Sequence, residues 1–114
     1  MGSNEAFQVE FLSSALNDIT EIISSFIMLG SKNGAIRIKE KINKAVGQIS
    51  VFPFSGVTVP DDKLAGSGYR MIIIEKYLMF YRIFEDDKKV IIYRVLNGKR
   101  NYPVLMDKLE TDRD

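Results

Sequence analysis

The chain has 114 residues, 46% of them hydrophobic, with neither cysteine nor histidine. That is enough apolar mass for one domain spanning residues 1–114, and too much for a disordered chain. Disulfide scaffolds, thiolate or imidazole metal sites and a histidine general base are excluded, and a net charge of +1 is small for a nucleic-acid binder.

No apolar run is long enough for a transmembrane helix, and the N-terminus is polar and acidic where a signal peptide needs basic and then apolar residues. The expected location is the cytoplasm. Charge is unevenly distributed. Residues 1–31 hold Glu5, Glu10, Asp18 and Glu21 with no cation, whereas residues 32–50 hold Lys32, Arg37, Lys39, Lys41 and Lys44 against Glu40 alone.

Phe7–Phe11 alternates apolar and polar residues, the pattern of a half-buried strand. Ser13 or Ser14 is positioned to cap a helix over roughly 14–28, with Leu16, Ile19, Ile23 and Phe26 as its apolar stripe and Asp18 and Glu21 between them. After the turn cluster at Gly30–Gly34, with Ser31 or Asn33 as cap, a second helix is expected over roughly 34–50. Its stripe is Ala35, Ile38, Ile42, Ala45 and Ile49. The short connection predicts an antiparallel helical hairpin. Phe52-Pro53 ends it. Ser55–Gly68 reads as a long loop with one helical turn near Asp61–Ala65, and loops of that length are often functional.

Three strands follow, Tyr69–Glu75, Tyr77–Phe84 and Lys89–Leu96, joined by turns too short for a crossover and therefore antiparallel. Asn97-Gly98 is a turn, and a weakly helical tail begins at Asn101. Pairing Ile74 with Tyr77 and Phe84 with Lys89 puts Tyr69, Met71, Phe80, Arg82, Tyr93 and Val95 on one face. Arg70, Ile72, Met79, Tyr81, Arg94 and Leu96 then share the other. Both faces are apolar, and the helix pair can cover only one. The second face is left either to a partner or to the tail residues Val104, Leu105, Met106 and Leu109.

The order β-α-α-β-β-β, with Gly68-Tyr69-Arg70, Phe80-Tyr81-Arg82-Ile83, Ile92-Tyr93-Arg94-Val95 and Gly98-Lys99-Arg100 at their spacings, resembles the RelE/ParE superfamily of bacterial toxins. The resemblance implies an α+β fold, a helical hairpin on a mostly antiparallel four-stranded sheet with a short C-terminal tail or helix. It also implies the toxin half of a type II toxin–antitoxin (plasmid stabilisation, or addiction) module, inhibiting growth until its antitoxin binds. One branch of the superfamily cleaves mRNA on the ribosome and the other poisons DNA gyrase.

The ribonuclease branch needs cations for the phosphate and a residue for proton transfer. Its two strand lysines fall at Arg70 and Ile72, its next-strand arginine at Leu78, its turn arginine at Arg100 and its tyrosine at Met106, with Tyr102 nearby. The losses place the chain closer to the ParE-like, plasmid-stabilisation branch. The alternative is a ribosome-dependent mRNA endoribonuclease with Arg70, Arg100 and Tyr102 as catalytic residues. A further alternative is a non-toxic, binding-only orphan of the fold. No cofactor or metal is expected, and the antitoxin that the resemblance implies, expected to be acidic, would meet the apolar face edged by arginine through Arg70, Met79, Tyr81, Arg94 and Arg100. A homodimer is left open.

Overall fold

In the computed structural model, which describes residues 6–113, the elements run in the expected order. They are β1 (Gln8–Phe11), α1 (Ser13–Met28), α2 (Lys32–Val51), a 3-10 turn (Pro53–Ser55), β2 (Val57–Thr58), α3 (Asp62–Gly66), β3 (Arg70–Ile74), β4 (Tyr77–Phe84), β5 (Lys89–Asn97) and α4 (Tyr102–Arg113). Met1–Glu5, on which part of the targeting argument rests, lie outside the described residues, as does the side chain of Leu109.

The sheet has five strands rather than four, in the order β1-β5-β4-β3-β2. The extra strand, β2, is a two-residue piece of the long loop and too short for an alternation signal. It pairs Val57 with Met71 and Thr58 with Arg70. β1 crosses the sheet to lie parallel to β5, so the first and last strands in sequence are neighbours.

The expected α2 stripe is buried throughout, from Ala35 to Ile49, because its three- and four-residue spacing holds one face against the sheet. Ser31 caps this helix, its hydroxyl accepting from the Gly34 amide at 3.1 Å. At α1 the expectation fails. Leu12 occupies the N-cap position without a side-chain cap, and the Ser14 hydroxyl donates instead to the Tyr93 carbonyl at 2.7 Å. The innermost line of α1 is Ala15, Asp18 and Ile22, while Leu16 is exposed.

Both hairpin registers are as expected, with Ile74 opposite Tyr77 and Phe84 opposite Lys89. A bulge corrects the face assignment. Tyr81 faces Ile92 but Phe80 faces Arg94, so Tyr93 is the extra residue. Beyond it Val95 joins Met79 in the helix-side core, and Leu96 joins Phe80 on the opposite face. That opposite face is covered. Val59 and Leu64 from the α3 segment and Met106 from α4 are buried on it, and Tyr102 packs against Phe80 with ring centroids 5.1 Å apart. The tail therefore closes much of the face that sequence reasoning left open to a partner. Burying a side chain such as Met106 contributes about 1.5–3 kcal/mol.

Candidate partner-binding surface

The structure disperses the residues expected to form a site. Met79 and Tyr81 are fully buried beneath the helix pair. The Tyr81 hydroxyl donates to the Pro53 carbonyl at 2.7 Å and accepts from the Gly56 amide at 3.0 Å, which ties the loop before β2 to the sheet. Burial pushes its pKa above the usual phenol value, and the Gly56 bond opposes that shift. Gly56 is required there. A Cβ would also sit 2.8 Å from the Met71 carbonyl oxygen.

Arg94 is equally committed. Its Nε and Nη2 donate to the two carboxylate oxygens of Asp18 at 2.7 and 2.8 Å, and the Val95 amide donates to Asp18 Oδ2 at 2.9 Å. Hydrogen bonding to this carboxylate raises the guanidinium pKa against the effect of burial. Sequence reading placed Asp18 between apolar positions as a polar spacer, and the packing makes it an internal clasp. Its spacing of three from Ala15 and four from Ile22 was the available signal.

Arg70 donates to the backbone carbonyls of Phe54 and Gly56 at 3.1 and 2.7 Å and lies over the Phe54 ring. Arg100 is exposed and lines a cleft of about 310 Å³ with Asp18, Glu21, Lys76 and Asn97. The two arginines belong to opposite ends of the sheet. Arg70 is in the row of Tyr81 and Ile92, whereas Asn97, which precedes the Arg100 turn, is in the row of Tyr77 and Ile74. Four residues of strand separate those rows, about 13 Å before any lateral offset. Tyr102 packs on Phe80, away from Arg70. The structure thus does not bring Arg70, Arg100 and Tyr102 together. Among the described residues no three His, Cys, Asp or Glu side chains converge to hold a metal.

A different surface stands out at the β3 edge. β2 pairs with Arg70 and Met71, so among the described residues the outer edge of Ile72–Ile74 has no strand beside it. Ile73 is 63% exposed there. The groove between this edge and α2 has a volume of about 230 Å³ and is rimmed by Lys41, Lys44 and Gln48. Val51, Phe52, Phe54 and Val57, all exposed, continue the apolar strip around the end of α2.

At the far end of the groove Glu75 anchors the rim. It accepts from Arg37 Nε at 2.9 Å and pairs with Lys41 Nζ at 2.9 Å. Hydrogen bonds from Arg37 first and then Lys41 lower its carboxyl pKa from 4.5 to about 2. Its backbone φ is +55°, a left-handed conformation unusual for a residue with a side chain. Lys44 forms no ion pair among the described residues. An unpaired strand edge, a large exposed isoleucine and flanking lysines can together take an extended chain carrying carboxylates.

Comparison with known proteins fits this architecture. A family model described as the ParE toxin of the type II toxin-antitoxin system parDE matches residues 9–102. Among solved structures, the chromosomal ParDE toxin–antitoxin system from P. aeruginosa superposes with a TM-score of 0.65 at 17% identity, covering 82% of this chain and 97% of that one. The RelBE2 toxin–antitoxin complex from Mycobacterium tuberculosis gives a TM-score of 0.58 at 20% identity, covering 85% of this chain and 97% of that one. At such identities the likeness concerns the fold. No curated protein matches the sequence. With the family model spanning β1 to the start of α4, this chain belongs to the ParE toxin family of type II toxin–antitoxin systems.

Proposed function

We propose that this chain is a growth-inhibiting toxin held in check by an antitoxin whose acidic, extended segment docks along the open edge of β3. The observation that carries the reading is the Ile72–Ile74 edge, without a strand beside it among the described residues, with Ile73 exposed on the face away from α2 and Lys41 and Lys44 on the α2 side. Main-chain hydrogen bonds to the edge would supply affinity, and the exposed isoleucine and lysines would supply selectivity. Charge complementarity favours a segment rich in Asp and Glu.

The toxin acts by binding, with DNA gyrase as target, rather than by cutting mRNA. The separation of Arg70 from Arg100 and the engagement of Arg70 with backbone carbonyls support this reading, because phosphoryl chemistry needs its cations converged on one group.

Expression of the full chain alone should arrest growth, and co-expression of the product of the adjacent reading frame should restore it. Ile73→Asp should leave the arrest intact and abolish the rescue. Rescue unaffected by Ile73→Asp moves the docking site elsewhere. In extracts, inhibited supercoiling with intact transcripts is expected. Codon-proximal cuts that vanish in Arg100→Ala would select the ribonuclease alternative, and normal growth with tight antitoxin binding would select the binding-only one.

A further inference from the structure

We infer that Arg82 is a carboxylate-binding anchor for a protein partner, on the sheet face opposite the helix pair and separate from the β3 edge. Arg82 sits on β4 opposite Ile91, on the same face as Phe80 and Tyr69. Its guanidinium carbon lies 5.5 Å from the Tyr69 ring centroid, 5.4 Å from that of Phe84 and 5.9 Å from that of Tyr93. Tyr69 and Tyr93 are themselves in edge-to-face contact at 5.1 Å. The rings therefore fix the cation in place.

They satisfy none of its hydrogen bonds. Among the described residues Arg37 and Arg94 hold carboxylates and Arg70 holds backbone carbonyls, whereas Arg82 makes neither a hydrogen bond nor an ion pair. Its N–H groups are not among the buried unsatisfied atoms, so they reach the surface. Gly68 lies against it, a Cβ there falling 3.8 Å from Arg82 Nε, and the φ of +89° at Gly68 keeps that side free of a side chain. A guanidinium stacked on aromatic rings is weakly hydrated and loses little freedom on binding, and its planar fork matches a carboxylate bidentately.

The surroundings choose the ligand class. The β4–β5 turn just beyond Arg82 carries Glu85, Asp86 and Asp87 against Lys88, a net negative charge that repels a polyanionic chain more than a single carboxylate. Phe84 and Ile91 flank it as half-buried apolar groups. One carboxylate embedded in apolar surface, an Asp or Glu of a polypeptide, fits both conditions. The inference rests on the preceding reading only in taking the partner to be a protein.

The test follows the Arg82 Nε–Hε resonance of the ¹⁵N-labelled full chain. It is titrated separately with the blocked peptide Ac-Ser-Leu-Glu-Leu-Ser-NH2 and with hexathymidylate. The peptide should shift the Arg82 resonance and the Tyr69 and Ile91 amides, and hexathymidylate should not. Arg82→Gln should weaken the effect at those amides about tenfold or more, as expected for losing a charge-assisted pair. Arg82→Lys, which keeps charge without the fork, should fall between. If Arg82→Gln does not fold, the wild-type titration and Arg82→Lys decide. An unmoved Arg82 resonance with shifts at Ile72–Ile74 overturns this inference and leaves the edge reading standing. A shift with hexathymidylate overturns it in favour of nucleic acid.

Discussion

The two edges of the sheet are finished in opposite ways. On the β5 side β1 pairs with Lys89–Ile92, and beyond it α1 takes up the Tyr93 carbonyl and the Val95 amide. Ser14 donates to the Tyr93 carbonyl, and Asp18 receives both the Val95 amide and the Arg94 side chain. On the β3 side the cover is β2, which stops after two residues and, among the described residues, leaves Ile72–Ile74 open. An edge strand is a hazard that folded proteins ordinarily close or blunt with charge. One edge closed by a part-buried ion pair, beside one without a covering strand among the described residues, is the contrast that motivates the proposed docking along β3.

The largest effect expected from breaking the closed edge comes from Asp18→Ala, which strands Arg94 and orphans the Val95 amide. It should cost about 3 kcal/mol in urea unfolding, the low end for one-sided removal of a buried pair. Asp18→Asn keeps an acceptor for the amide and should cost less. A loss within about 0.5 kcal/mol, as for an ordinary surface change, would mean that α1 does not depend on this clasp. Tyr81→Phe comes next. It removes the tie between the loop before β2 and the sheet, with an expected loss of about 1–2 kcal/mol on the same assay.

Ile73→Asp tests the open edge. Stability should stay within about 0.5 kcal/mol of wild type, while antitoxin affinity measured by calorimetry falls about tenfold or more, equivalent to 1.4 kcal/mol. The smallest effect belongs to Glu75→Gln. Because the folded carboxyl is depressed from 4.5 to about 2, its stabilisation is fully present above 4.5 and is lost as pH falls through about 2. The stability gap between wild type and Glu75→Gln should thus be constant from neutral pH to about 5 and close towards pH 2. A gap that widens on acidification contradicts the assigned sign.

Much of the scaffold was legible in the sequence because its periodicities are strong. The α2 stripe, the three long strands, both hairpin registers and the turn of helix after Asp61 follow from spacing and turn residues alone. The bulge at Tyr93 was not, since one extra residue leaves the composition of an apolar run unchanged while exchanging the faces of Val95 and Leu96. The alternation grouped Arg70, Tyr81 and Arg94 at one apolar face as a partner surface, but burial commits Tyr81 to the core and ion pairing commits Arg94 to Asp18. Edge openness was hidden for a topological reason. Nothing local to Ile72–Ile74 says that β1 crosses to β5 instead of flanking β3.

Docking along the β3 edge is read out by amide hydrogen exchange on the full chain, alone and saturated with the product of the adjacent reading frame. New protection is expected at Ile72, Ile73 and Ile74, with Val95 unchanged because its amide is already bonded to Asp18. Complex formation without added protection at Ile72–Ile74 would contradict docking at this edge.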